Sequence, residues 1–427
     1  MTGLPKGYCV RPWISMHAST GGDIAPCCEF DGSVANLRDR SLSEVWTSDE
    51  WAEIRRKFAT GETVAECWKC YDRERNEGSS ARLTANRRHA DWCSAFAKAE
   101  DLLAASPRHP ITYDLRPSNL CNLSCRTCWH GASSSWFKDG LEIGLTVGSK
   151  AEIRSYKSGQ QILDDIGQGL DQVEELYFAG GEPLMMEEHY ALLSALAKKG
   201  RSDIVLRYNS NLTRTKFRGE SVFDLWAKFD RVEVEASVDA AYDKGALVRH
   251  GFNWDQFVQN LDGLRSACPH VAIEFGITVS ALNILYLAEL FDALIKHCQA
   301  KPSDFVLHSL QSPIFYRTQV LPSKAKIEAK SRLHRWVSEN AAIYSDGNDG
   351  FVALKNALEN ICNYMDSDDL SEHTAEFASR SRKLDALRDQ NTLATLPDLA
   401  PVFATPISTS AIGFLRSRFA AIAKKRS

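Results

Sequence analysis

The chain has 427 residues, a formal net charge of -4, 44% hydrophobic and 25% charged residues, enough to bury a large core and to form more than one domain. The slightly acidic balance argues against a nucleic-acid surface, and no apolar run approaches the roughly 20 residues of a membrane span. The start, MTGLPKGYCVRPW, lacks a basic stretch followed by an apolar core, so the expected compartment is the cytoplasm, where twelve cysteines are metal thiolates or small buried hydrophobes rather than a disulfide framework.

In chain order, the first feature is a Cys-rich stretch within residues 1–105. In CVRPWISMHASTGGDIAPCCEF, Cys9 is followed by Pro-Trp, a Gly-rich hairpin signal and the Cys27-Cys28 pair, and ECWKC then supplies Cys67 and Cys70 in a C-x2-C arrangement. Four thiols from this set would make a zinc knot or an iron–sulfur site equally well on spacing alone. Cys93, Cys268, Cys298 and Cys362 stand alone and read as small hydrophobes.

From about residue 110 the pattern changes to alternating strands and helices. ITYDLRP, VEELYFAG, DIVLRYNS, RVEVEASVD, VAIEFGITV and DFVLHSL are short runs rich in Val, Ile, Leu and aromatics, which predict six strands. Between them SGQQILDDIGQGL, EEHYALLSALAKKG, SVFDLWAKF, NWDQFVQNLDGLRSA and NILYLAELFDALIKHCQA space apolar residues by three and four, as helices do. Repeated βα units predict a parallel sheet, and six of them over residues 106–320 predict an α/β fold with a partial (β/α)6 TIM-like barrel, an open doubly wound sheet being the alternative.

In either architecture, ligands bind at the carboxyl edge of the strands. The unusual residues gather there: Cys121, Cys125 and Cys128 (C-x3-C-x2-C) after the first strand, Gly180-Gly181-Glu182-Pro183 after the second, Asn209-Ser210-Asn211 after the third, and Ser237-Val238-Asp239 after the fourth. Singly these are a turn, a loop opening and a helix cap; together with three thiols at one edge they predict a site. Three thiols leave a metal centre one ligand short of the four a structural site takes. His17, His130 and His308 lie near these segments and read as structural histidines, His308 on the last strand being the one worth testing.

Residues 321–427 predict a helical C-terminal extension across the barrel's open side, with charged helices such as KAKIEAKSRLHRWVSENAA and FVALKNALENICNYM. Its last segment spaces Ile412, Leu415, Phe419 and Ile422 along one face among basic residues, a terminal helix with a possible membrane or partner contact.

The C-x3-C-x2-C run after a first strand and Gly-Gly-Glu after a second resemble the radical SAM superfamily. The resemblance implies that Cys121, Cys125 and Cys128 hold a 4Fe-4S cluster whose fourth iron is chelated by S-adenosylmethionine (SAM), so that the missing ligand is the co-substrate itself. It also implies that Gly180, Gly181, Glu182 and Pro183 receive the methionine ammonium, that Asn209, Asn211, Ser237 and Asp239 face ribose hydroxyls or the methionine moiety, and that Arg249 pairs with the methionine carboxylate. One departure is that the aromatic often found immediately before the last loop cysteine is here Thr127, with Trp129 one place beyond that cysteine. The N-terminal stretch, including ANLRDRSLSEVW and IRRKFATGE, is similar to the Twitch or SPASM auxiliary-cluster module placed ahead of the barrel; this implies one auxiliary 4Fe-4S cluster on Cys9, Cys27, Cys67 and Cys70, with Cys28 as the alternative to Cys27.

The implied activity is reductive cleavage of SAM to a 5'-deoxyadenosyl radical that abstracts hydrogen from a peptide or natural-product intermediate, with an electron donor such as flavodoxin or ferredoxin as partner. A small alcohol or sugar is the alternative substrate. The alternative of another class is a non-catalytic zinc or iron–sulfur redox-sensing module, which explains the thiols but not the recurrence of motifs at successive strand ends.

Overall fold

The computed structural model describes residues 4–78, 80–95, 99–104, 109–145, 147–344 and 349–404. Its main sheet has nine strands: β1 (Ser15–Ala18), β2 (Asp23–Ala25), β3 (Ala35–Asn36), β4 (Thr112–Leu115), β5 (Glu175–Phe178), β6 (Val205–Ser210), β7 (Arg231–Ser237), β8 (Ala272–Val279) and β9 (Phe305–Ser309). The six strands β4 to β9 lie side by side in chain order and all pair in parallel. They coincide with the six runs read from the sequence. β9 is an edge, so the sheet stays open beyond it.

The opposite edge was not foreseen. β1 of the Cys-rich segment pairs in parallel with β4, Ser15 opposite Thr112 and Ala18 opposite Leu115, and β2 and β3 continue antiparallel from it. The N-terminal segment therefore extends the barrel sheet. Its hairpin is formed around Gly22 (φ 89°), where Ser19 caps the turn by accepting from the Gly21 and Asp23 amides.

Period-two alternation sorts the strand residues between two faces. Tyr113, Leu115, Leu176, Phe178, Leu206, Tyr208, Val232, Val234, Phe275 and Ile277 are buried against the helices in the main core. The opposite parity places Asp114, Tyr177, Asn209, Glu235 and His308 on the other face, the lumen. The predicted helices form as Gly159–Ile166, Glu187–Lys198, Val222–Trp226, Trp254–Ala267 and Leu287–Cys298. Asn253 caps Trp254–Ala267 by accepting from the Gln256 amide at 2.8 Å. A further helix, Tyr242–Val248, was missed because YDKGALV is too short for periodicity to stand out.

Three longer helices follow, Ser323–Tyr344, Asp349–Asp366 and Thr374–Arg388. They extend the core with Leu333, Trp336, Leu354, Leu358, Met365 and Phe377. The basic segment holding Ile412 to Ile422 lies outside the described residues. Among the described residues no helix is long and apolar enough to cross a membrane.

Candidate active site

The cysteine loop leaves β4 and is held by its own neighbours. Ser134 Oγ accepts from the Cys121 amide at 3.2 Å, the Trp136 indole donates to the Cys125 carbonyl at 2.7 Å, and the Cys128 amide to the same carbonyl at 2.9 Å. Residues Ser124–Cys125 form a short antiparallel pair with Arg249–His250, which brings Arg249 opposite Cys125. All three thiols are half-buried. Burial first, and then the charge of their fellow thiols, pushes Cys121 up to about 12 and Cys128 well above the usual thiol range, so the three sulfurs share one environment. Among the described residues no three His, Cys, Asp or Glu side chains converge on one metal-ion position. A cubane does not require that, because each thiolate binds a different iron.

Gly-Gly-Glu-Pro packs directly on this loop. The Glu182 amide donates to the Leu120 carbonyl at 2.7 Å, and a Cβ at position 181 would collide with that same carbonyl. The close approach that excludes a side chain at Gly181 is to the protein's own backbone. Gly180 has φ 110°, which any other residue would strain to adopt. Pro183 opens the 3-10 turn Pro183–Met185.

Glu182 is only 1% exposed. Its carboxylate accepts from Ser210 Oγ at 2.7 Å, the Asn211 amide at 2.8 Å and the Leu184 amide at 3.2 Å. Burial outweighs these donors and pushes the group up to about 6. Asn211 links onward: its Nδ2 donates to Asn122 Oδ1 at 3.2 Å and lies 4.0 Å from Cys121 Sγ. The motifs after β5 and β6 thus brace the cysteine loop. Ser210 as a Glu182 partner was not read from the sequence; its signal was its position between two asparagines at a strand end.

At the end of β7, Ser237 is half-buried on the lumen face, while Asp239, two residues on, is 1% exposed. Asp239 accepts from Arg249 Nη1 at 2.9 Å and from the Thr278 amide at 2.8 Å. Arg249 Nε is buried with no hydrogen-bond partner among the described residues. An orphaned guanidinium N–H beside three half-buried thiols suits an anionic ligand. The residues present therefore fit a cluster and the carboxylate of its chelating co-substrate. Trp129, by contrast, is 67% exposed.

Asn209 lies deeper in the lumen, in a row that crosses the sheet. Tyr177 Oη donates to Asn209 Oδ1 at 2.9 Å, Asn209 Nδ2 donates to Glu235 Oε1 at 3.3 Å, and His308 Nε2 lies 2.8 Å from the same oxygen. β8 separates the strands of Glu235 and His308, and its inward residue at this level is Gly276. A Cβ there would collide with Glu235 Oε1. The hydrogen bond that His308 Nε2–H donates to the Glu235 carboxylate raises His308 above the usual imidazole value. His17 Nδ1 approaches Asp114 Oδ2 at 3.1 Å without hydrogen-bond geometry, and His130 Nε2 lies 2.9 Å from the Ala151 carbonyl.

The N-terminal thiols divide into two environments. Burial raises Cys67, and Cys9, Cys27 and Cys70 are the thiols that raise it further. Cys28 is an exposed residue, and the charged groups acting on it are first Asp114 and Arg116 and only then Cys27. Cys9, Cys27 and Cys70 are buried and Cys67 half-buried. A groove of about 1000 Å3 runs between helix Trp68–Glu77 of this segment, with Trp68 and Arg73 on one wall, and helix Asp349–Asp366, with Asn363 and Tyr364 on the other, beside the open edge of the barrel.

Residues 115–292 match the sequence profile of the radical SAM superfamily, and residues 9–71 match that of an iron–sulfur cluster-binding domain, SPASM. The chain thus contains a radical SAM domain over residues 115–292. A SPASM domain precedes it in the chain, and the cofactors these two domains imply are SAM with a 4Fe-4S cluster, together with auxiliary iron–sulfur binding in the SPASM domain. No curated protein matches the chain. Solved structures resembling it include native anSMEcpe with bound AdoMet, at 15% identity and TM-score 0.36 over 54% of this chain and 61% of that one. Another is Streptococcus suis SuiB bound to precursor peptide SuiA, at 14% identity and TM-score 0.37 over 84% of this chain and 75% of that one. The chain thus spans about 61% of the length of the anSMEcpe chain it matches.

Proposed function

We propose that this enzyme reductively cleaves SAM at the cysteine loop and directs the resulting 5'-deoxyadenosyl radical to a C–H bond of a peptide or natural-product intermediate held in the lumen. The observation that carries the reading is that three half-buried thiols of one loop, close enough to raise one another, lie beside the buried Asp239–Arg249 pair and the Glu182 turn. When bound, the cluster and SAM supply the electron and the radical.

The chain's own residues bind, orient and shield. Cys121, Cys125 and Cys128 hold the cluster. Arg249, fixed by Asp239, offers its free Nε to the methionine carboxylate, and Glu182 together with the Gly180–Gly181 backbone receives the ammonium. Asn211 and Ser237 face the remaining polar groups of SAM, and Asn209 joins the lumen row below them. His308, oriented by Glu235, is the group in the lumen best suited to exchange a proton with substrate. Cys9, Cys27, Cys67 and Cys70 hold one auxiliary 4Fe-4S cluster, an assignment supported by their shared environment and by the separate one of Cys28.

We assign residues 1–105 to the auxiliary domain, 106–320 to the barrel and 321–427 to the C-terminal extension, with the cytoplasm as the compartment and a flavodoxin or ferredoxin as electron donor. The groove at the open edge is roomy enough for more than a small alcohol or sugar, which favours the peptide-sized substrate. The test is anaerobic purification with iron and sulfide analysis. About eight irons and matching sulfide per chain are expected; stoichiometric zinc without sulfide would instead make this a zinc-stabilised module.

A further inference from the structure

Neither profile match reaches the residues beyond 292, yet the segment 374–395 is joined to the cysteine loop by a fully buried side chain. Arg126, between Cys125 and Cys128, is 1% exposed. Its guanidinium has five N–H donors, and five acceptors surround it. Nε donates to the Leu247 carbonyl at 3.1 Å, Nη1 to Thr392 Oγ1 at 3.1 Å and to the Ser381 carbonyl at 3.5 Å, and Nη2 to Asp385 Oδ1 at 2.5 Å and Gln390 Oε1 at 3.1 Å. Four of the five belong to the segment 374–395: Ser381 and Asp385 in helix Thr374–Arg388, Gln390 in the link that follows it, and Thr392 at the start of the short helix Thr392–Thr395.

A second arginine makes the reverse crossing. Arg388 leaves helix Thr374–Arg388 to donate to Asp139 Oδ2 at 2.9 and 2.7 Å, and its guanidinium carbon lies 5.0 Å from the centre of the Trp136 ring. Trp136 is the residue whose indole holds the Cys125 carbonyl. The Arg126 amide donates to the Val248 carbonyl at 2.7 Å, and Gln390 Nε2 to the Ala246 carbonyl at 3.2 Å, so the same assembly grips the segment that ends in Arg249. Asp385 is itself fixed, accepting from the Thr392 amide and hydroxyl at 2.9 and 2.8 Å.

We propose that the segment 374–395 is a clamp on the cofactor site, in which Arg126 and Arg388 are positioning residues that set Cys125 and Arg249 in place for the cluster and SAM. The inference rests on the cofactor assignment above only for its functional consequence; the mechanical coupling stands on the contacts alone. A fully buried fork with every donor used leaves little freedom for the backbone that carries it. The Arg388 crossing uses only Nε and Nη2, both to Asp139, so the two crossings tie both ends of the Cys125–Trp136 stretch with Arg126 as the stronger hold.

Two measurements on the full chain test this separately. Hydrogen exchange of the metal-free protein should speed up in residues 121–128 and 246–250 in Asp385→Ala and Arg126→Gln, with residues 9–71 unchanged. Arg126→Lys should behave like Arg126→Gln, because it keeps the charge and loses the fork. In reconstituted protein the same variants should bind SAM at least about tenfold more weakly and show an altered electron paramagnetic resonance signal of the reduced barrel cluster, with the auxiliary signal unchanged. Should the buried variants fail to fold, Asp139→Asn breaks only the half-buried Arg388 side and should give the same pattern at smaller size. Exchange rising only within residues 374–395 would overturn the coupling, and coupled exchange with unchanged SAM affinity and cluster signal would overturn its functional role. A wild-type chain that holds no barrel cluster would instead contradict the cofactor assignment, leaving the exchange result to judge the clamp.

Discussion

Glu235 reaches His308 at 2.8 Å across an intervening strand, because Gly276 on that strand has no side chain to block it. The glycine is required by space and not by backbone conformation, since it is not among the positive-φ residues. Gly276→Val should therefore separate the pair without straining the backbone. Glu235→Gln should remove the charge and lower the His308 pKa toward the ordinary imidazole value. The charged groups facing His308 are Glu235, Arg73 from the N-terminal segment and Asp239. With Arg73 and Asp239 intact, an NMR titration of labelled histidine should show the same downward shift in both variants. No shift in Gly276→Val would mean the contact is incidental.

Glu182 supplies a pH dependence with a defined sign. Its folded pKa of about 6 lies above the ordinary carboxylate value, so the folded protein takes up its proton first and this group's contribution to stability falls as pH rises from about 4.5 through about 6. An ammonium ligand favours the ionised form, so SAM affinity should rise over the same range. Calorimetry on reconstituted protein between pH 5 and 7 should find roughly tenfold tighter binding at the upper end, with proton release near pH 6. Glu182→Gln, which still accepts from Ser210, should flatten the dependence; an unchanged slope would mean that the carboxyl only braces the turn.

The adjacent thiols Cys27 and Cys28 should differ sharply. Cys27→Ala removes one of the four thiols that share a buried environment and should cost the auxiliary cluster, about four irons per chain. Cys28→Ala should leave the iron content at about eight, since its sulfur lies beside Asp114 and Arg116. Iron analysis of folded variants checks this, and the opposite outcome would exchange the two assignments.

The six barrel strands were legible because each is a short apolar run with its polar residues in alternate positions, and the strand-end motifs followed because each interrupts such a run. The extension of the sheet by Ser15–Ala18 was not legible. Four residues carry no period, and their partner lies almost a hundred positions away. Asp239 and Arg249 were each singled out, but their pairing depends on how the turn after β7 meets the loop before Trp254, which no local signal records. Arg126 was passed over because an arginine between two cysteines looks solvent-facing until residues 381–392 are folded against it. The role of Gly276 emerges only from the register of three strands.

The central claim, that SAM is cleaved at Cys121, Cys125 and Cys128 while the N-terminal thiols serve a separate cluster, is tested most directly by 5'-deoxyadenosine formation under strict anaerobic reduction. Folding of each variant must be verified first, since a cluster is also a folding ligand. Replacing the three loop cysteines with alanine should abolish 5'-deoxyadenosine. Replacing Cys9, Cys67 and Cys70 should leave a measurable, unproductive yield. Formation that survives loss of the loop thiols and disappears with the N-terminal ones would contradict the account.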